Sequence, residues 1–224
     1  RTLSLSEGED VDAFFNALDA ALAAGLHAVG AFSFELGYAM QRLPSGQLAG
    51  TPLATVLLFQ GYERLTRAET DAWLAQRAGG LPHAVTQLQP MLSETDFIAA
   101  VDEIHRQIVS GDTYQVNFTF PLRFDVHGEP SALYAALRAR QPVPYGALLA
   151  LPGGQTVLSL SPELFVSHVD GDLLCRPMKG TAAASGDAVL DAQRTDALRH
   201  STKERSENLM IVDLLRNDLG RIAQ

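Results

Sequence analysis

Cysteine occurs once, at Cys175, so the chain has no intramolecular disulfide and nothing in it calls for an oxidising compartment; a cytoplasmic protein is expected. Cys175 stands between Leu174 and Arg176 in a strand-like run, where a buried, inert thiol is expected rather than a nucleophile. Positive charge is scarce as well. With 17 Lys and Arg against 26 Asp and Glu, the net charge of −9 excludes a broad basic face for nucleic acid or for an anionic membrane. An anionic small molecule held by a local site stays open. Long apolar runs are missing too: "ALDAALAAGLHAVGAF" is broken by Asp19 and His27 and is too polar to span a bilayer. The start, "RTLSLSEGED", has no signal-peptide core. The six histidines are scattered without metal-ligand spacing, and no repeat or low-complexity linker marks a boundary. What remains is a 46% hydrophobic chain with ample material for a core, read as one domain.

Helical and strand patterns mix along it. "DVDAFFNALDAALAAG" places Val11, Phe14, Phe15, Leu18 and Leu22 at helical spacing and stops at Gly25. "HAVGAFSFELGYAM" and "LATVLLFQGYERL" are predicted strands, rich in β-formers. "SETDFIAAVDEIHRQIVSGD" is the clearest helix: Ser93 caps it, Phe97, Val101, Ile104 and Ile108 form its stripe, and Gly111 ends it. His105 flanks that stripe as a boundary residue. In "TYQVNFTFPLRFDV", Tyr114, Val116, Phe118 and Phe120 alternate with Gln115, Asn117 and Thr119, which predicts a strand. Its uncharged polar face suits either water or a polar cavity.

After a predicted helix at "EPSALYAALRAR" come "YGALLAL", the turn "PGG" and "QTVLSLS", then "ELFVSHV", the dipeptide Asp170-Gly171 and "LLCRPM". Such turns predict antiparallel hairpins. Lys179 then raises a question. As a lone lysine near a strand end it reads as a solvated side chain on a long stem; aimed into a pocket it reads as a nucleophile. Glu163 opens one arm of the hairpin and Lys179 follows the other, so closing the turn brings a carboxylate and an amine toward one sheet edge. Geometry alone leaves an ordinary cross-strand ion pair and a catalytic pair on an equal footing.

The last segment, "DAQRTDALRHSTKERSENLMIVDLLRNDLGRIA", reads as one long helix with Met210, Ile211, Leu214 and Leu215 as its buried stripe. Glu207 falls three residues before Met210, on that apolar face, whereas Glu204 belongs to the charged run. A carboxylate so placed is either an edge group that reaches water or a ligand to a partner or cation.

Four blocks in order, "SGDTYQVNFT", "SPELF", "RPMKGT" and "KERSENLMIVDLLRNDLGRI", resemble the chorismate-utilising enzymes. The resemblance runs from about Phe97 onward and, more loosely, through "AFSFELGY". Lysine at position 179 resembles the aminodeoxychorismate-forming branch; anthranilate- and isochorismate-forming relatives usually carry alanine there. The resemblance implies an α+β fold, antiparallel sheets packed as a sandwich with helices outside. It implies a single chorismate-binding domain, residues 1–92 being its N-terminal region and 93–224 the first part of its core. It also implies a transferase of para-aminobenzoate and folate biosynthesis. In it Glu163 is the general acid, Lys179 the nucleophile, Gly180 and Thr181 approach chorismate, and Glu207 is one ligand of Mg²⁺. Ammonia would come from a glutamine amidotransferase partner. The alternatives are an anthranilate synthase component I, an isochorismate or salicylate synthase, and a catalytically incomplete fragment that only binds. Relatives continue past "RNDLGRI" and begin earlier, so a truncated chain lacking the second group of magnesium carboxylates is expected.

Overall fold

The computed structural model describes residues 1–44, 51–78 and 80–223. A first strand, β1 (Thr2–Leu5), leads to helix α1 (Val11–Ala23), which Asp10 caps by accepting from the Asp12 and Ala13 N–H groups at 2.9 and 3.1 Å. Strand β2 (His27–Phe32) follows, then helix α2 (Glu35–Gln41) and strand β3 (Ala54–Phe59). β3 lies between β1 and β2, antiparallel to both, with Thr2 opposite Leu57 and His27 opposite Phe59. Its run of Ala54, Val56 and Leu58 is buried with Leu5, Phe14, Ala21, Leu36 and Leu53 in one core. The strand predicted over "HAVGAFSFELGYAM" therefore ends at Phe32. Beyond it Leu36 and Ala39, three apart, turn to this core, and a helical face reaches it where a continued strand would send alternate residues to water.

Helix α3 (Arg67–Ala78) opens with a capping box: Thr66 N–H donates to Glu69 Oε2 at 2.7 Å, and Glu69 N–H donates to Thr66 Oγ1 at 3.3 Å. Strand β4 (His83–Pro90) is followed by helix α4 (Glu94–Ser110), capped by Ser93 and ended by Gly111 in the left-handed region at φ 82°, as its sequence predicts. Strand β5 (Leu122–Gly128) pairs antiparallel with β4, with a bulge between Thr86 and Gln89. β1, β4 and α3 have no counterpart in the sequence reading.

The strand predicted from Tyr114 does not form. Residues 113–121 have no strand ladder, and the strand begins at Leu122. Alternation reports which way side chains point, while a strand also requires a partner for its backbone N–H and C=O groups. Of the alternating set, Phe118 and Phe120 both meet the Phe97 ring, with centroids 5.6 and 5.9 Å away, while Tyr114 and Val116 are exposed.

Helix α5 (Pro130–Arg140) leads to β6 (Tyr145–Ala150), which pairs with β7 (Thr156–Ser161) across the Pro152–Gly154 turn. β8 (Leu164–Val169) and β9 (Asp172–Arg176) form an antiparallel hairpin in which Leu164 is opposite Arg176 and Val169 opposite Asp172. Asp170 and Gly171 both have positive φ, 52° and 89°, the geometry that the Asp-Gly turn predicts.

The long terminal helix is in fact two, α6 (Ala188–His200) and α7 (Thr202–Leu219). Ser201, at ψ 117°, ends the first and caps the second, its Oγ accepting from Glu204 N–H at 3.3 Å. Ser-x-x-Glu is a helix-start signature, and the serine side chain competes with the backbone for the turn's donors. The expected buried stripe is only half-buried at Met210, Ile211 and Leu215, and Leu214 is exposed.

The chain divides into two compact units, Arg1–Ala135 with Leu149–Val157, and Ala136–Leu148 with Leu158–Gln224. The fold class is α+β with antiparallel sheets and helices, and among the described residues no helix is long and apolar enough to cross a membrane.

Candidate active site

All the site residues named from the sequence lie in the second unit. Glu163 sits in a tight approach to β8: Ser161 Oγ donates to Glu163 O at 3.0 Å and accepts from Glu163 N–H at 3.3 Å. From there the carboxylate crosses the hairpin. Met178 N–H donates to Glu163 Oε1 at 3.0 Å, fifteen residues away in sequence. The Asp170-Gly171 turn thus brings the two arm ends together through a carboxylate-to-backbone bond, one residue before Lys179. Lys179 is half-buried and Glu163 exposed, so water reaches the pair.

Beyond Lys179 the backbone runs without helix or strand to Asp187. Gly180 has φ 78°, and a Cβ there would lie 2.5 Å from Glu204 Oε2 and 3.3 Å from Glu204 Cβ. Only glycine lets the loop lie this close to α7 in a left-handed conformation. Thr181 is exposed on the same loop. Glu207 lies one turn beyond Glu204, with its side chain 34% exposed and 3.9 Å from the exposed Lys203 ammonium. That surface pair is weak and leaves the carboxylate available.

Glu204 corrects the sequence reading. Rather than belonging to the solvated charged run, it shares the half-buried face of α7 with Glu207, Met210, Ile211 and Leu215. It also borders a shallow cleft of about 240 Å³ with Ala182, Arg194, Ala197, Leu198 and Ser201. The helix-start signature at Ser201 was the signal that would have placed it, since it fixes where the helical face begins. Two further residues escaped the sequence reading, Asp191 and Arg194 of α6, which bond the Ala183–Gly186 backbone. Among the described residues no group of three or more His, Cys, Asp or Glu is placed to hold a metal. Cys175 is half-buried in β9.

The hairpin end and the loop that follows it bring together a carboxylate held by the Met178 N–H, the backbone of Lys179 one residue on, and a glycine that admits Glu204 of α7 as a close neighbour. The chain belongs to the chorismate binding enzyme family, which it matches over residues 5–224. It is 46% identical over 123 residues to an aminodeoxychorismate synthase of Streptomyces pristinaespiralis, covering 54% of this chain and 17% of that protein. To aminodeoxychorismate synthase component 1 of Klebsiella aerogenes it is 32% identical over 215 residues, covering 88% of this chain and 48% of that protein. The crystal structure of anthranilate synthase component I from Streptococcus pneumoniae TIGR4 superposes with a TM-score of 0.66 at 21% identity, covering 88% of this chain and 50% of that one. The chain thus shares that fold and spans half or less of the length of these proteins.

Proposed function

We propose that this chain carries the acid and nucleophile of an aminodeoxychorismate synthase component I, which converts chorismate and ammonia to 4-amino-4-deoxychorismate. One observation supports the reading most: the Met178 N–H to Glu163 Oε1 bond ties that carboxylate to the backbone one residue before Lys179. The two relatives bearing the aminodeoxychorismate synthase name support it.

Hydroxide leaves poorly, so loss of the C4 hydroxyl needs an acid. Glu163 Oε2 donates its proton to that oxygen while Lys179 Nζ, as the free amine, bonds to ring C2. The double bonds shift, the C4–O bond breaks and water departs. Ammonia then bonds to C4, the C2–N bond to Lys179 breaks, and the enolpyruvyl group is retained. A covalent step divides one hard displacement into two easier ones, and a positioned acid contributes about 10²- to 10⁴-fold.

Mg²⁺ binds proteins through one or two carboxylates with substrate oxygens and water completing its shell, and Glu207 with Glu204 on one face of α7 meets that minimum. Held by those two carboxylates, Mg²⁺ would supply positive charge to neutralise and orient a substrate carboxylate. Gly180 gives that substrate backbone access, and Thr181 offers a hydroxyl. Ammonia is supplied by a glutamine amidotransferase partner; the designation "component 1" of the Klebsiella relative supports a second component of some kind. The working compartment is the cytoplasm.

The test is an assay of the full-length protein with chorismate, ammonium and Mg²⁺, the product identified by mass and the position of its amino group by NMR. 4-Amino-4-deoxychorismate with no pyruvate supports the reading. Release of pyruvate would favour anthranilate formation and count against it.

A further inference from the structure

The loop between β9 and α6 has nothing of its own to pack. From Gly180 to Gly186 it reads Gly-Thr-Ala-Ala-Ala-Ser-Gly, and each unrestrained residue of such a stretch has about 1–2 kcal/mol of backbone entropy to lose on ordering. Small side chains cannot supply that by burial. Yet Lys179, at the head of this loop, must be held within bonding reach of one substrate carbon.

The loop is instead tied by hydrogen bonds at both ends. Upstream is the Met178 bond to Glu163. Downstream, one carboxylate gathers three donors: Asp191 Oδ1 accepts from Ser185 N–H and from Ser185 Oγ–H, both at 2.7 Å, and Oδ2 accepts from Gly186 N–H at 3.3 Å. One turn along α6, the Arg194 guanidinium donates to the Ala183 carbonyl and lies 4.0 Å from Asp191 Oδ1. Asp191, Arg194 and Leu198 are the half-buried residues of this part of α6, so the helix turns that face toward the loop. These bonds stabilise the carboxylate form of Asp191, whose pKa lies below its ordinary value chiefly because of the Ser185 backbone bond.

We infer that Asp191 and Arg194 are positioning residues for Lys179, holding the small-residue loop so that the amine is presented at a fixed place between Glu163 and Glu204. This rests on the proposed role of Lys179. Neither residue touches the reacting atoms; both act through the loop backbone.

Lys179 and Lys203 are the two lysines of this sequence, and peptide mapping reads the labelling of each separately, with Lys203 as the internal reference. The experiment compares full-length wild type with Asp191→Ala, Asp191→Asn and Arg194→Ala by three readouts. These are kcat and KM with chorismate and ammonium, amide hydrogen exchange at Ser185 and Gly186, and the rate at which a small amine-reactive ester labels Lys179 relative to Lys203. Asp191→Ala should lower kcat about 10- to 100-fold, the scale of a small misplacement of a reacting group, with KM for chorismate changing far less. Exchange at Ser185 and Gly186 should accelerate, Lys179 labelling should change while Lys203 labelling stays constant, and far-UV circular dichroism should match wild type. Asp191→Asn keeps an oxygen acceptor and should restore part of kcat. Arg194→Ala, acting at Ala183 alone, should give a smaller effect in the same direction, and it decides the matter if Asp191→Ala fails to fold. Unchanged kcat and unchanged Lys179 labelling despite accelerated exchange would overturn the inference. Should the wild type form no aminodeoxychorismate, the proposed function fails instead, and Lys179 labelling still decides whether the clamp orders the loop around the lysine.

Discussion

Met178 donates its backbone N–H to Glu163 Oε1 at 3.0 Å, joining the two ends of a hairpin whose turn, Asp170-Gly171, lies midway between them. The bond fixes one carboxylate oxygen and the residue next to Lys179 with a single contact. The proposed acid, Glu163, is thereby tied to the backbone that leads into the proposed nucleophile, Lys179.

Replacing Glu163 separates its two roles. In Glu163→Gln the amide oxygen still accepts from Met178 N–H, while the proton is lost. Turnover with chorismate and ammonium should fall about 10²- to 10⁴-fold with melting close to wild type. Undiminished kcat would remove Glu163 as the acid.

Gly180→Ala tests the close approach to α7. The added methyl would fall 2.5 Å from Glu204 Oε2 at φ 78°. The left-handed backbone alone costs a non-glycine residue about 1–2 kcal/mol. A lower melting temperature together with a tenfold or greater loss of activity is expected, and a variant equal to wild type in both would show that the loop does not lie against Glu204.

Much of this was legible because its causes are local. Asp170-Gly171 demands two left-handed residues, and Ser93 and Gly111 bracket α4 through bonds within one turn of their own positions. The alternation from Tyr114 to Phe120 predicts a strand that does not form, because alternation contains no information on whether a neighbouring strand is there to pair. The break at Ser201 lies in the wholly polar run from Arg199 to Asn208, where no apolar period marks a boundary and only the Ser-x-x-Glu signature signals the new helix. Glu204 reads as part of the charged run because its neighbour, Gly180, is distant in sequence and only folding brings them together. The same holds for Asp191, whose donors at Ser185 and Gly186 belong to a loop with no pattern of its own.

Magnesium dependence tests α7. Glu207→Gln, and separately Glu204→Gln, should raise the Mg²⁺ concentration needed for half-maximal turnover by about 10- to 100-fold, with circular dichroism unchanged. An unaltered requirement in Glu207→Gln would return that residue to its surface pairing with Lys203.

The pH dependence of stability carries a definite sign. Asp191 and Glu69 both have lowered pKa values, the first chiefly from the Ser185 backbone bond and the second chiefly from that of Thr66. A carboxylate with a depressed folded value contributes stability that is fully present above its unfolded pKa and is lost as pH falls through the folded one. Their contribution should be flat from about pH 5 to 8 and decline only below about pH 4. In Asp191→Asn the acid-side loss should shrink; an equal or larger loss in urea titrations across that range would contradict the assignment.

The most direct measurement is a search for the covalent intermediate. Full-length enzyme is mixed with chorismate and Mg²⁺ without ammonia, quenched in acid, digested and mapped by peptide mass. The account predicts a mass gain on the Lys179 peptide equal to chorismate less one water, absent in Lys179→Ala and discharged when ammonium is added before the quench. Formation of 4-amino-4-deoxychorismate by Lys179→Ala at the wild-type rate, with no adduct on the wild-type peptide, would contradict it.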